Sequence, residues 1–232
     1  KIIRALTYNL TNSQKKVIDE INYDLKSKSK MFRILQGDVG SGKTIVSLIC
    51  ASNVIDSGYQ CAFMAPTEIL ANQHYILAKK IFKNKINIYL LTGKTKPQEK
   101  RDVLNKLKNN QIDLLFGTHA IFQSKILFKK LGFVIVDEQH KFGVKQRMRL
   151  SEKGGADCDV LLMSATPIPR TMMLATYGDM DTSKITEKPF NRKTIITLSK
   201  PENKIDDLWP LIKKQIKNKK QIFWVCPLIE ES

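Results

Sequence analysis

Short apolar runs recur along the chain, separated by longer stretches in which polar and apolar positions alternate at helical spacing. The strand-length runs are residues 31–35, 61–65, 86–91, 112–116, 133–136 and 160–163. Helical spacing covers residues 13–25, 44–56, 68–82, 98–108 and 168–177, and several of these stretches open on Ser, Thr or a Pro-containing turn. Continuous apolar strands alternating with helices predict an α/β fold, with a mostly parallel sheet flanked by helices on both faces.

The pattern breaks at Glu187-Lys188-Pro189-Phe190-Asn191-Arg192, which has linker character, and then restarts. A strand over 194–198, a helix over 201–217 and a strand over 221–225 read as the opening of a second α/β domain. The expected division is a first domain over residues 1–187, a linker over 188–192 and the start of a second domain over 193–232. No internal repeat or low-complexity tract interrupts it. The chain opens on Lys1 and stops at Glu230-Glu231-Ser232, directly after a strand-like run, so it is expected to be a fragment of something longer.

Composition narrows the function classes. With 232 residues, 42% of them apolar, the chain can bury a full core and is expected to be globular. Its 39 Lys and Arg against 22 Asp and Glu give a net charge of +17, which points to a polyanionic partner such as nucleic acid. Lysine-rich amphipathic runs such as residues 213–220 are equally a solvated helix face. Cys50, Cys61, Cys158 and Cys226 are scattered, without a C-x-x-C pair or a histidine at ligand spacing, so isolated reduced thiols are expected rather than disulfides or a metal site. No apolar run approaches the roughly 18 residues of a membrane span and no signal-peptide core opens the chain, so the expectation is a cytoplasmic protein with no membrane partner.

The chemistry begins at Gly37-Asp38-Val39-Gly40-Ser41-Gly42-Lys43-Thr44, which follows the first apolar run and fits the phosphate-binding pattern G-x-x-x-x-G-K-[ST] at every position. Glycines allow a tight turn that aims backbone N–H groups at a phosphate, and the helix that follows adds its positive end. Lys43 would reach the β/γ-phosphates and Thr44 would set its hydroxyl on Mg²⁺. A glycine-rich turn with a solvated lysine is the plainer alternative, but the strand before and helix after favour the nucleotide. Phe133-Val134-Ile135-Val136-Asp137-Glu138 then reads as a buried strand ending in two carboxylates at the same sheet edge, the Walker B arrangement. Asp137 would hold Mg²⁺, and Glu138 would orient or deprotonate the attacking water. Alone, such a strand end is often a simple polar turn; with the phosphate loop it reads as a hydrolytic nucleotide triphosphatase whose catalytic residues are Lys43, Asp137 and Glu138.

Gln139-His140 complete the box Asp-Glu-Gln-His, which resembles the DExH group of superfamily 2 helicases and translocases. Further matches follow in the family's order. Leu10-Thr11 with Gln14 resemble the segment that contacts adenine, Ala65-Pro66-Thr67-Glu68-Ile69-Leu70-Ala71-Asn72-Gln73-His74 resembles motif Ia, Gly117-Thr118-His119-Ala120 resembles the Gly-Thr-His segment, and Ser164-Ala165-Thr166-Pro167 resembles motif III. The phosphate loop, the run from Asp137 to Arg147, the run from Ser164 to Thr171 and the ending Trp224-Val225-Cys226-Pro227-Leu228-Ile229-Glu230-Glu231-Ser232 are similar to the RecG family of branch-migrating DNA helicases. The transcription-repair coupling factors are the nearest rival; there Asp-Glu-Glu-His would be expected, and Gln139 favours RecG.

The resemblance implies a RecA-like P-loop domain followed by the opening strands of a second RecA-like domain, with ATP and Mg²⁺ as cofactors and DNA, branched, as partner. It implies that Gln14 helps bind nucleotide together with Gly37, Asp38, Val39, Gly40, Ser41, Gly42, Lys43 and Thr44. Pro66, Thr67, Gly117, Thr118 and His119 would line the strand, whose phosphates suit backbone N–H groups and small hydroxyls. Gln139, His140, Ser164, Ala165 and Thr166 would couple nucleotide state to domain movement. The family's transition-state arginine comes from the second domain, so the chain alone is expected to bind nucleotide weakly and hydrolyse it poorly. Separately, a monomer is expected. His74 carries no expected role beyond a helix face, and Arg147, Arg149 and Arg170 are as compatible with solvated charge as with phosphate contacts. A nucleic-acid binding module with a vestigial ATP site is the reading from another class.

Overall fold

The computed structural model describes residues 9–122, 126–138, 158–166, 180–187 and 196–225. The chain divides into two compact units, Lys1–Asn191 and Arg192–Ser232.

In the first unit α1 (Asn12–Leu25) precedes β1 (Phe32–Gly37), followed by α2 (Lys43–Asp56), β2 (Gln60–Met64), α3 (Glu68–Phe82), β3 (Ile88–Leu91), α4 (Pro97–Lys108), β4 (Leu114–Gly117), β5 (Leu131–Val136), β6 (Asp159–Ser164) and β7 (Asp181–Ile185). The strands form one seven-stranded sheet in the order β3-β4-β2-β5-β6-β1-β7, and every neighbouring pair is parallel. The six apolar runs each form a strand, because a strand covered on both faces must be apolar at successive positions. Phe63, Phe116, Phe133 and Met163 face the layer built by α1, α2 and α3, whereas Met64, Leu115, Val134 and Leu162 face the layer that contains α4. The helix expected over 168–177 lies outside the described residues.

β7 is an addition to the expected set. Its residues Asp181-Thr182-Ser183-Lys184-Ile185 bury only Ser183 and Ile185, so it lacks the apolar run that marks the other strands. Polar contacts fasten it instead. Arg33 of β1, 9% exposed, donates from Nη1 to Ser183 Oγ (2.9 Å) and from Nε to Asp24 Oδ2 of α1 (2.7 Å), while Ser183 donates to Glu20. Gln60 performs a similar service at the amino edge. Fully buried, it donates to the carbonyls of Leu107 and Ile112 and accepts from the N–H groups of Lys129 and Lys130, so one side chain ties the end of α4, the start of β4 and the approach to β5 together.

The three described cysteines, Cys50, Cys61 and Cys158, are buried free thiols, as the sequence leads one to expect. Burial pushes the thiols of Cys50 and Cys158 up to about 12.

In the second unit Glu202–Asp207 is a short 3-10 helix and α5 (Leu208–Lys217) an α-helix, together filling the helix expected over 201–217. The opening strands expected there do not form among the described residues, since 196–200 and 221–225 carry no strand. A strand is defined by the ladder it shares with a neighbour, and apolar side chains such as Ile196, Phe223 and Val225 stay 82%, 86% and 89% exposed without one. Trp209 stacks on Trp224 with ring centroids 5.7 Å apart.

Candidate functional site

Parallel strands all end on the same side, so the loops after β1, β2, β4, β5 and β6 meet at one edge of the sheet. The strand order sorts them. β1 and β6, which pair, carry the Gly37-to-Thr44 loop and Ser164, while β2 and β4, which also pair, carry Ala65-Pro66-Thr67 and Thr118-His119. β5 separates the two pairs and carries Asp137 and Glu138. Backbone hydrogen bonds lock the junctions: Asp137 N–H donates to the Met64 carbonyl (2.8 Å) and Ala65 N–H to the Gly117 carbonyl (2.9 Å).

The loop after β1 turns through Gly40 (φ 75°) and Gly42 (φ 93°), left-handed positions that favour glycine. Space is as limiting as dihedral angle, since a Cβ on Gly42 would lie 2.4 Å from Gln14 Nε2 and one on Gly37 2.6 Å from Ser41 Oγ. Lys43 opens α2 and its ammonium donates to the carbonyls of Gly37 (2.6 Å) and Asp38 (3.2 Å). Burial lowers the Lys43 pKa from its ordinary value, against the pull of Glu138, Asp137 and Asp38. Ser41 Oγ is buried without a hydrogen-bond partner. A partly desolvated ammonium, an orphaned hydroxyl and the free N–H groups of a helix start fit an anion of phosphate type.

Gln14 braces this loop. It is 3% exposed; its Oε1 accepts from Thr11 N–H (3.0 Å), its N–H donates to Thr11 Oγ1 (3.2 Å), and its Nε2 donates to the Ser41 carbonyl (2.7 Å). The first two bonds are a capping box at the start of α1. The third extends that cap into the phosphate loop, a task the adenine contact implied by resemblance does not include.

Asp137 is 7% exposed, and both carboxylate oxygens are bonded. Oδ1 accepts from Glu138 N–H (3.0 Å), with Glu138 in the left-handed region at φ 47°, and Oδ2 lies 2.8 Å from His74 Nε2 of α3. The helix-face expectation for His74 therefore misses its partner. Ala71, Ala78 and Ile81 are buried on α3, and His74 falls in the same stripe at helical spacing, which is the signal that turns it inward.

Ser164 is buried and bonds locally: its Oγ donates to the Thr166 carbonyl (3.0 Å) and accepts from Thr166 N–H (3.2 Å), looping round Ala165. On the other half of the edge, Thr67 is exposed and caps α3 by accepting from Leu70 N–H (3.3 Å), with Pro66 half-buried beside it. Thr118 is buried and His119 exposed. Gly117 must be glycine, because a Cβ there would lie 2.4 Å from both the Leu91 carbonyl oxygen and Ile121 Cγ2. Gln139, His140, Arg147, Arg149 and Arg170 lie outside the described residues.

The family profile described as DEAD/DEAH box helicase matches residues 11–174. The chain belongs to the DEAD/DEAH box helicase family. Within it, the chain is similar over its whole length to ATP-dependent DNA helicase RecG: 47% identical to that of Thermotoga maritima over 233 residues, and 46% identical to that of Staphylococcus epidermidis over 232. These alignments cover 100% of the chain but 30% and 34% of the relatives, so the chain spans about a third of their length. A solved structure of RecG bound to a three-way DNA junction superposes with a TM-score of 0.85 at 42% identity, covering 98% of this chain and 31% of that one. The DEAD-box helicase Mss116 bound to single-stranded RNA, with a TM-score of 0.68 at 23% identity over 94% of this chain and 50% of that one, shares the fold. Membership of the helicase family carries ATP use with it. The RecG resemblance expected from the motifs is borne out. No helix among the described residues is long and apolar enough to cross a membrane.

Proposed function

We propose that this chain is the nucleotide-binding motor segment of a cytoplasmic, ATP-driven DNA helicase that remodels branched DNA. The observation that carries the reading is the sorting at the sheet edge: the phosphate loop on β1 and the Ser164 loop on β6 lie to one side of Asp137, and the Thr67 and Thr118 loops to the other. Such an order lets one carboxylate strand report to two ligands. The similarity to RecG held on a three-way junction supports branched DNA as the substrate class.

ATP would supply the transferable phosphoryl group, and Mg²⁺, when bound, would neutralise the charge that develops on it. Lys43 would exchange the Gly37 and Asp38 carbonyls for phosphate oxygens, which set negative charge beside an ammonium that burial disfavours. Gly37, Asp38, Val39, Gly40, Ser41 and Gly42 wrap the phosphates with backbone N–H groups, and Gln14 holds that wrap in shape through Ser41. Thr44 and Asp137 would hold the metal. Glu138 orients the attacking water and takes its proton. Gln139, His140, Ser164, Ala165 and Thr166 pass the change to the neighbouring domain. Pro66, Thr67, Gly117, Thr118 and His119 grip one strand by its backbone, a mode that reads no base sequence.

The test is a DNA-stimulated ATPase assay on the full-length protein that carries this segment, wild type against Lys43→Ala. Branched DNA is expected to stimulate the wild type more than duplex RNA does, and the variant is expected to be inactive. Equal activity in both proteins, or preference for RNA, would overturn the reading.

A further inference from the structure

We propose that His74 is a positioning residue for the metal site, fixing the carboxylate of Asp137 from helix α3. The inference rests on the reading of Asp137 as a Mg²⁺ ligand and adds a residue which that reading does not contain.

The geometry is specific. His74 Nε2 lies 2.8 Å from Asp137 Oδ2, with the two side chains 13% and 10% exposed. An ionised carboxylate has no proton to give, so Nε2–H is the donor. Asp137 Oδ1 is held by Glu138 N–H at 3.0 Å, so one donor on each oxygen fixes the rotation of the carboxylate about its own bond. These two bonds use about half of the roughly four lone-pair sites of a carboxylate, which leaves acceptor capacity for a cation. The imidazole is itself held, its ring 4.8 Å from that of Phe63 on β2 and tilted by 43°. Ligand carboxylates are oriented by hydrogen-bond donors behind them, and loss of such a donor costs about 10- to 100-fold in metal affinity.

The donor also arrives from a distance. Thr67, the N-cap of α3, is one of the residues proposed to contact the strand, and His74 follows about two helical turns later at roughly 10 Å along the axis. One rigid element thus joins the proposed strand contact to the metal carboxylate.

The experiment titrates Mg²⁺ against a fluorescent, non-hydrolysable ATP analogue bound to the full-length protein. It compares wild type, His74→Phe, His74→Gln and Asp137→Ala. Phenylalanine keeps the packing on Phe63 and removes the donor, whereas the Gln amide nitrogen reaches about as far as Nε2. His74→Phe is expected to raise the half-saturating Mg²⁺ concentration about tenfold, while His74→Gln stays within about threefold of wild type. Binding without Mg²⁺ is expected to stay at wild-type values in both, while the thermal midpoint falls in His74→Phe, which leaves Asp137 Oδ2 without its donor. If His74→Phe fails to fold, His74→Asn, whose amide stops short of Asp137, takes its place with the same expectation. Wild-type Mg²⁺ dependence in His74→Phe, with that dependence lost in Asp137→Ala, would overturn the role of His74 and leave the metal reading standing. A glutamine variant as weak as the phenylalanine one would make the effect one of packing and would also overturn it. Wild-type Mg²⁺ dependence in Asp137→Ala would remove the metal reading, and the proposal with it.

Discussion

Replacing Gln14 with leucine tests whether the cap of α1 and the phosphate loop are one unit. Leucine approximates the buried volume but can neither accept from Thr11 N–H nor donate to the Ser41 carbonyl. Thr11 is 5% and Ser41 1% exposed, so water does not readily replace either bond. Two buried groups left without partners cost about 1–2 kcal/mol each, and the added apolar burial of leucine returns about 1 kcal/mol, leaving a loss of about 2 kcal/mol. Urea unfolding measures that loss directly. Nucleotide affinity is expected to fall as well, because Ser41 then has freedom to leave the loop conformation; about 1.4 kcal/mol of that cost reaching the bound state would be about tenfold in Kd. Gln14→Glu separates the two bonds. Its oxygen still caps Thr11, so protection of the first turn of α1 against hydrogen exchange is expected to persist, but a second oxygen then faces the Ser41 carbonyl and affinity is expected to drop as in the leucine variant. A leucine variant with wild-type stability and wild-type nucleotide affinity would refute the coupling.

Gln60→Leu removes four side-chain hydrogen bonds to the backbone at once and is expected to destabilise the protein by about 3 kcal/mol in urea unfolding, with nucleotide affinity unchanged because Gln60 sits at the opposite edge of the sheet from the phosphate loop. Gly117→Ala forces a Cβ against the Leu91 carbonyl and Ile121; a stability loss of about 1–3 kcal/mol is expected by thermal melting, with weakened DNA binding by fluorescence anisotropy as Thr118 and His119 shift. Cys50 and Cys158 are expected to resist alkylation in the native state. Their pKa is raised to about 12 and the reactive thiolate forms only as pH approaches that value, so mass-spectrometric mapping at about pH 8 should find both unmodified until denaturant is added.

Much of the fold is legible because β1 to β6 are covered on both faces, and a strand such as Phe133 to Val136 has no wet side to hide its pattern. β7 escapes because its stability is polar: Ser183 meets Arg33 and Glu20, and nothing in Asp181-Thr182-Ser183-Lys184-Ile185 reveals an arginine waiting on β1. Around α5 the described residues 196–200 and 221–225 carry no ladder for a related reason, since apolar content supplies strand propensity but not the neighbour that makes a ladder.

At the site, local motifs carry the loop and the carboxylates, while contacts between motifs stay hidden. Gln14 is recognisable as a capping-box residue from Thr11 three positions earlier, yet its bond to Ser41 depends on how α1 docks beside α2. His74 shows the same limit. Its spacing with Ala71 and Ala78 turns it inward, but that Asp137 lies beneath is decided by the pairing of β2 with β5.

The central claim is that Lys43, Thr44 and Asp137 build one working nucleotide site, and calorimetric titration of the full-length protein with an ATP analogue, with and without Mg²⁺, tests it most directly. Expected is Mg²⁺-dependent binding that disappears in Lys43→Ala and loses its Mg²⁺ dependence in Asp137→Ala. Absence of Mg²⁺-dependent binding in the wild type, or binding that survives unchanged in both variants, would contradict the claim and leave a binding module with a vestigial site.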